Sequence, residues 1–346
     1  MKTNNLPSFF CFLTLILLTI LVVHASPAVN VTVTTTKQTY KTGEAVTIYG
    51  NLTKDGIPTT DGLVGIEVRD PSDKLLTIRT VTTVRKPYET PYVELLSVIP
   101  CDSVGTPKES FKRGNINIYF KLNGVNHDIE WRNALITVRA HTPQNIPYGG
   151  WSVEQFPLAP REKPSDPPKP FTVGPISMPI DTTVPLGNWT VYANLFTGWP
   201  KEEIEPGVHG TPYCAEVSAN FLITDGASSP PVAPSTNQTN GNYNLTFTLS
   251  PSAKSGNYTV YASSRYYGVE TFNSTTFNVI PWYWRTDLDE DGDIDEDDLW
   301  AFCGAFITYY INGSKDPRCD FDYDCDIDED DLWYFCSGFI EYYKSH

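Results

Sequence analysis

Asp287-Leu-Asp-Glu-Asp-Gly-Asp-Ile-Asp-Glu-Asp-Asp-Leu-Trp300 returns thirty-three residues later as Asp320-Phe-Asp-Tyr-Asp-Cys-Asp-Ile-Asp-Glu-Asp-Asp-Leu-Trp333. The eight residues Asp293–Trp300 are repeated without change as Asp326–Trp333. Oxygen-bearing side chains fall at loop positions 1, 3, 5, 9 and 12 of each copy, the spacing of a hard-cation loop that feeds a helix. In the first copy the expected ligands are Asp287, Asp289, Asp291, Asp293 (through its carbonyl), Asp295 and Asp298. In the second they are Asp320, Asp322, Asp324, Asp326 (carbonyl), Asp328 and Asp331. Hard oxygen donors in this number suit calcium rather than zinc or copper. Like charges at this density repel, so cation binding and folding are expected to be coupled.

The two copies are not equal. Gly292 occupies position 6 of the first loop, where the chain turns sharply, and Cys325 replaces it in the second. A Cβ at positive φ costs about 1 kcal/mol, so the second of the two calcium sites is expected to be the weaker. Ile294, at position 8, is expected to join its loop to the other by a short β-bridge. An apolar stripe follows each loop: Leu299, Trp300, Phe302, Cys303, Phe306 and Ile307, then Leu332, Trp333, Phe335, Cys336, Phe339 and Ile340. Each stripe predicts one helix.

The order loop, helix, linker, loop, helix, with Asp at position 12 and Leu directly after it, resembles a dockerin over about residues 286–344. The resemblance implies two segments related by a near two-fold axis, docking on a cohesin-like partner. It implies partner choice by positions 10 and 11, here Glu296, Asp297, Glu329 and Asp330. Most cellulosomal dockerins carry small hydroxyl residues there, and the acidic pairs depart from that pattern.

The chain is acidic, with a formal net charge of −16, and 19 of its 41 Asp and Glu lie in residues 286–346. This imbalance argues against nucleic-acid binding, which needs a basic face. Residues 1–26 read as a secretory signal, with an apolar run from Phe9 to Val23 and small residues at Ala25 and Ser26. No later segment has the length and apolarity of a membrane span. A secreted or cell-surface location is therefore expected. Eight N-x-[ST] triplets, at Asn30, Asn51, Asn188, Asn237, Asn244, Asn257, Asn273 and Asn312, fit an exported, glycosylated surface.

Between the signal and the acidic repeat the pattern is strand, turn, strand, with no helical period. Lys37–Gly50 and Leu63–Pro71 resemble the opening half of a macroglobulin- or invasin-like immunoglobulin domain, and the closing half reappears in Asn240–Ser250, Ser255–Ala262 and Ser274–Val279. The resemblance implies a mostly β protein of two immunoglobulin-like β-sandwiches, one inserted in the other. Residues 28–88 plus 238–280 would form the discontinuous sandwich. Residues 91–225 would form the insert, which resembles adhesion-related sandwich domains. Residues 226–237 would be a linker and 281–346 the calcium module, a small α-helical EF-hand pair. Strands of the insert are expected at Tyr92–Ile99, Ile116–Leu122, Ala134–His141, Phe171–Ile180, Asn188–Phe196 and Ala215–Thr224, with a Pro-rich loop over Pro157–Pro170.

The six cysteines after the signal suggest disulfides in an exported chain. Cys101–Cys214 would pin the ends of the insert; the four cysteines of the calcium module allow three connectivities, one of which has Cys303–Cys336 crossing the pseudo-dyad and Cys319–Cys325 stapling the second loop. Trp282-Tyr-Trp284 is either a sugar-stacking surface or a packing junction, and packing is favoured at a domain boundary. The histidines are scattered and no catalytic constellation stands out, so a non-catalytic scaffold or adhesion protein is expected. The alternative is a structural or glycan-binding surface protein in which the calcium pair is only a clip.

Overall fold

The computed structural model describes residues 28–83, 92–225, 242–321 and 326–345. It is mostly β, with two α-helices at its C-terminal end. Four main sheets form two packed pairs.

In the first pair, β1 (Val29–Val31) and β12 (Asn242–Thr248) flank β2 (Ala45–Lys54). The facing sheet runs β14 (Val269–Val279), β13 (Gly256–Tyr266), β3 (Leu63–Arg69), β4 (Leu75–Thr82). Val46 and Ile48 of β2, Val64 and Ile66 of β3, Phe247 of β12 and Val260 of β13 share one core. Strands almost two hundred residues apart are therefore direct neighbours: Ile48 pairs with Leu245 and Val68 with Val260, both antiparallel.

The second pair lies between these halves in sequence. A three-stranded sheet runs β9 (Lys169–Ile180), β6 (Ile116–Asn126), β5 (Val93–Cys101). It faces β8 (Pro147–Leu158), β7 (Arg132–His141), β10 (Gly187–Phe196), β11 (Val217–Thr224), with Ser110–Lys112 at the far edge. The core includes Phe120, Ile136, Val138, Trp189, Val191 and Phe221. β8 is an edge strand that the sequence pattern missed. The loop expected over Pro157–Pro170 is correspondingly shorter, since Pro157 and Leu158 end β8 and Lys169 and Pro170 begin β9; an edge tolerates residues that cannot complete a ladder.

Both pairs meet over an extensive interface, which explains why β3, β4 and β7 are buried on both faces. The inner residues of β7, such as Ile136 and Val138, fill their own core, while Leu135 joins Ile78, Phe196 and Trp199 across the interface. Gly65 is required by this approach, since a Cβ there would lie 2.4 Å from the Phe196 ring. Arg79 makes a two-point ion pair with Glu216 at 2.6 and 2.8 Å. Glu67, fully buried, accepts from Arg69 Nε and from the Lys201 backbone N–H. Burial holds the Glu67 carboxyl above its ordinary range, with Arg69 pulling the other way. His141 Nδ1 donates to Asn145 Oδ1 at 2.8 Å, since that oxygen can only accept, and Thr77 Oγ1 then donates to Nε2 at 3.3 Å. Burial, with Arg79 nearby, lowers the His141 pKa to about 3 and keeps it neutral.

Cys101 and Cys214 do not pair, contrary to the sequence expectation. Cys214 Sγ accepts the Leu95 N–H at 3.4 Å, and both are free buried thiols. Leu95 sits six residues before Cys101 on extended β5, which separates the two cysteines by about 20 Å. A disulfide needs Cα atoms within about 7 Å. Among the described residues no helix is long and apolar enough to cross a membrane.

Candidate metal centre

The acidic repeat follows a short 3-10 turn, Trp282–Thr286, and feeds α1 (Glu296–Asn312) and α2 (Glu329–Ser345). In the first loop the carboxylates of Asp287, Asp289 and Asp291 lie within 4.8 Å of one another. Glu290 and Gly292 both take positive φ, at 62° and 98°, which wraps the loop around this cluster. Asp289 accepts the Asp291 N–H and Asp291 accepts the Asp293 N–H, so the ligand-bearing turn is held by its own side chains.

Asp295 and Asp298 have a second occupation. Asp295 caps α1, accepting the Asp297 N–H at 2.8 Å, and Asp298 reaches back to the Asp295 N–H at 2.9 Å. This reciprocal box satisfies donors that the first helical turn leaves over. The other oxygen of Asp298 accepts from Leu288 at 2.5 Å and Asp289 at 3.2 Å. Position 12 thus closes the loop through backbone N–H groups. Neither Asp295 nor Asp298 belongs to the close carboxylate cluster, and the Asp293 side chain is exposed.

The second loop repeats this architecture. Asp331 accepts from Phe321 at 2.5 Å and from Asp328 at 3.0 Å, and Asp328 accepts the Asp330 N–H at 2.8 Å. Its close cluster is Asp326, Asp328 and Asp331. Asp322, Asp324 and Cys325 lie outside the described residues, so the position-6 substitution and the Cys319–Cys325 pairing do too.

A reciprocal arginine pair escaped the sequence reading. Arg285 Nη1 donates to the Phe321 carbonyl at 3.0 Å, and Arg318 Nη1 donates to the Leu288 carbonyl at 3.1 Å. Each arginine stands two residues before position 1 of its own loop and grips position 2 of the other. The legible signal was their shared offset, since Arg285 and Arg318 are also thirty-three residues apart. Phe302 and Phe335 stack at 5.7 Å between the helices and share a core with Leu288, Phe321 and Ile327. Ile294 and Ile327 are both fully buried, but among the described residues no β-bridge joins them. Cys303 and Cys336 are free thiols rather than a bridge. Each follows a stacked phenylalanine by one residue, which turns it about 100° away from the helix–helix contact.

The donor set suits a divalent cation. Asp287 Oδ1 and Asp320 Oδ1 are buried without any hydrogen-bond partner. They occupy position 1 of the two loops, and buried carboxylate oxygens are ordinarily satisfied. Burial pushes the Asp287 carboxyl above its usual range. Lys41 pulls it back, while Asp298 and Asp289 push it further up. Asp320 differs in one respect, since its second oxygen pairs with Lys315 Nζ. Glu296, Asp297, Glu329 and Asp330 are all exposed on the first turns of the helices.

The aromatic junction packs within this region. Trp284 meets Tyr342 of α2 edge-on at 5.4 Å, and Thr286 sits against Gly338, where a Cβ would come within 2.7 Å. Lys41 Nζ donates to the Asp287 carbonyl at 3.4 Å and links the loop to the first sheet pair. Of the glycosylation triplets, Asn30, Asn51, Asn244, Asn257 and Asn312 are exposed. Asn188 Oδ1 is buried, Asn273 Nδ2 donates to the Val31 carbonyl, and Asn237 lies outside the described residues.

No family model and no curated protein matches the chain. Among solved structures, the C-terminal domain of wzt is similar at 13% identity and TM-score 0.28, over 44% of this chain and 87% of that one. A CARDB domain from Pyrococcus furiosus, in complex with di-metal ions, gives 13% and 0.22, over 41% and 96%. E. coli alpha-2-macroglobulin in its native conformation gives 11% and 0.20, over 73% and 23%. At these scores the likeness carries no argument about fold or function.

Proposed function

We propose that this is an exported, non-catalytic scaffold or adhesion protein. It carries immunoglobulin-like sandwiches and a dockerin-like, calcium-folded pair of loops and helices that docks on a cohesin-like surface partner. The observation that carries the reading is a matched pair of exposed apolar stripes. Trp300 is 72% exposed and Trp333 67%, Ile307 56% and Ile340 52%, Tyr310 64% and Tyr343 58%. Each pair is thirty-three residues apart, so the repeat duplicates the exposed face as well as the loops. Positions 300, 307 and 310 share one side of α1 at helical spacing. Apolar surface gathered in this way marks an interaction site more often than chance exposure. Glu296-Asp297 and Glu329-Asp330 stand at the loop ends of these stripes and supply charge.

Calcium enters as the ion that completes the two Asp loops. When bound, it would neutralise the carboxylates and give the position-1 oxygens a partner. The chain's own residues do the rest: Asp298 and Asp331 close the loops, and Arg285 and Arg318 tie each to its twin.

The test is a pull-down from the source organism's surface fraction, with calcium and with chelator. A partner retained in calcium, released by chelator and lost on charge reversal of Glu296, Asp297, Glu329 and Asp330 supports docking. Recovery of nothing calcium-dependent overturns it. The Lys41–Asp287 contact favours a second reading, in which the calcium pair is a clip onto the first sheet pair. That reading predicts a chelator-sensitive change in the Lys41 turn without any partner. A glycan role for Trp282, Trp284 or Trp151 has less support, because all three are partly buried in packing contacts.

A further inference from the structure

A cleft of about 480 Å³ opens where β4 meets β7 and β8, far in sequence from the acidic repeat. Its lining includes Leu75, Leu76, Met178, Lys74 and Arg139. This size falls in the range of small-molecule sites, about 300–1,000 Å³.

Arg139 sets this cleft apart. It stands on β7 between Thr137 and His141, on the side that faces the first sheet pair. Its Nε is buried without a hydrogen-bond partner, and among the described residues its guanidinium forms no ion pair. The other arginines of this interface have anions: Arg79 has Glu216, and Arg69 has Glu67. Burial, with Arg69 nearby, lowers the Arg139 pKa to about 10 although Glu67 pulls the other way, so it stays charged at neutral pH. Asp70, the acid of the cleft, is already engaged with the backbone of Ser72 and Lys74.

Gly150 pairs with Arg139 across the ladder, and a Cβ at Gly150 would lie 2.5 Å from Arg139 Cδ and 2.8 Å from Nη1. The Val138 carbonyl oxygen would be nearer still, at 2.3 Å, so the close approach of the two strands itself requires the glycine. Arg139 is half-buried, with its Nε enclosed, and an anion in the cleft would offset the water that this charge has lost. Guanidinium matches a carboxylate in a planar, two-point geometry. The remaining wall, Leu75, Leu76 and Met178, offers apolar surface.

We propose that this cleft binds a small monocarboxylate with an apolar body, its carboxylate on Arg139 and its body against Leu75, Leu76 and Met178. Lys74, exposed at the rim, adds attraction without being the primary contact. The site is independent of calcium and of any docking partner.

Met178 and Met1 are the only methionines of the chain, so a methyl-labelled methionine spectrum reports on this cleft directly. Benzoate is the probe, benzamide its neutral isostere and sulfate a non-carboxylate anion. The expected result is a saturable benzoate shift of the Met178 methyl signal, with little response to benzamide or sulfate. Arg139→Gln should weaken the benzoate response about tenfold or more, and Lys74→Gln about two- to threefold. Arg139→Lys should retain a partial response, because a point charge replaces the fork. No benzoate shift in the wild type overturns the proposal, as does an equal shift with benzamide. An equal shift with sulfate overturns the carboxylate class. An undiminished shift in a folded Arg139→Gln protein overturns the role of Arg139. If Arg139→Gln does not fold, the benzoate, benzamide and sulfate comparison on the wild type still decides.

Discussion

The strand body and the acidic C-terminal pair handle buried charge in opposite ways. At the interface between the two sheet pairs, Arg79 has Glu216, and Glu67 has Arg69 and the Lys201 N–H. In the C-terminal pair, Asp287 Oδ1 and Asp320 Oδ1 are buried with no partner. The first region pairs these ions from within, although Arg139, Arg161, Arg265 and Glu270 each keep one buried side-chain atom without a hydrogen bond. The second carries a surplus of one sign, which on the proposed function a cation from outside would complete. The contrast separates a region built for intrinsic stability from one built for conditional stability.

The sharpest way to break that contrast is to remove calcium. Hydrogen exchange should show α1 and α2 losing protection in chelator, while β3, β7 and β13 stay protected. At a thousandfold excess of calcium over its Kd the gain is about 4 kcal/mol. Equal loss in the strand body would erase the distinction. Next in size is Glu216→Ala, which strands Arg79 in a buried position. It should cost about 3–5 kcal/mol in urea unfolding of the strand body and leave the calcium response unchanged.

Acid should come third. His141 has a folded pKa near 3, below its unfolded value, so its contribution is complete above about pH 6.5 and declines as pH falls from there towards 3. The loss between pH 7 and pH 5 should be about 2 kcal/mol. His141→Gln should remove this slope in pH-dependent melts of the strand body. Smaller again, Arg285→Ala and Arg318→Ala should each destabilise the calcium-loaded pair by about 1–2 kcal/mol, read as an earlier thermal transition of the helices. Lys315→Ala sharpens the comparison at the lower end. It releases Asp320 for the cation, so second-site calcium affinity should rise about three- to fivefold by calorimetry. An unchanged affinity would mean that the Lys315 pair does not compete.

Much of the strand order was legible. Lys169–Ile180, Gly187–Phe196 and Val217–Thr224 lie within two residues of where alternation and β-branching place them. The strand at Pro147–Leu158 was not legible, because prolines and paired glycines disguise an edge. The doubly buried runs Leu63–Val68 and Ala134–Val138 carried a clue to the interface, but period-two patterning cannot say what covers a second face. The apolar stripes of α1 and α2 were legible as helices. Which half of each stripe would be buried was not, since Phe302 and Trp300 look alike to a hydropathy pattern.

By itself the sequence determined the repeat, its ligand spacing and the β character of the rest, because these follow from residue type and local period. It could not determine that Cys101 and Cys214 stand strand-lengths apart. Nor could it show that Arg285 and Arg318 exchange carbonyls across the repeat, or that Arg139 forms no ion pair among the described residues. Only the tertiary structure decided those points. Pairing of charges, thiols and hydrogen-bond donors depends on distances between residues far apart in the chain, and chain order alone does not encode them.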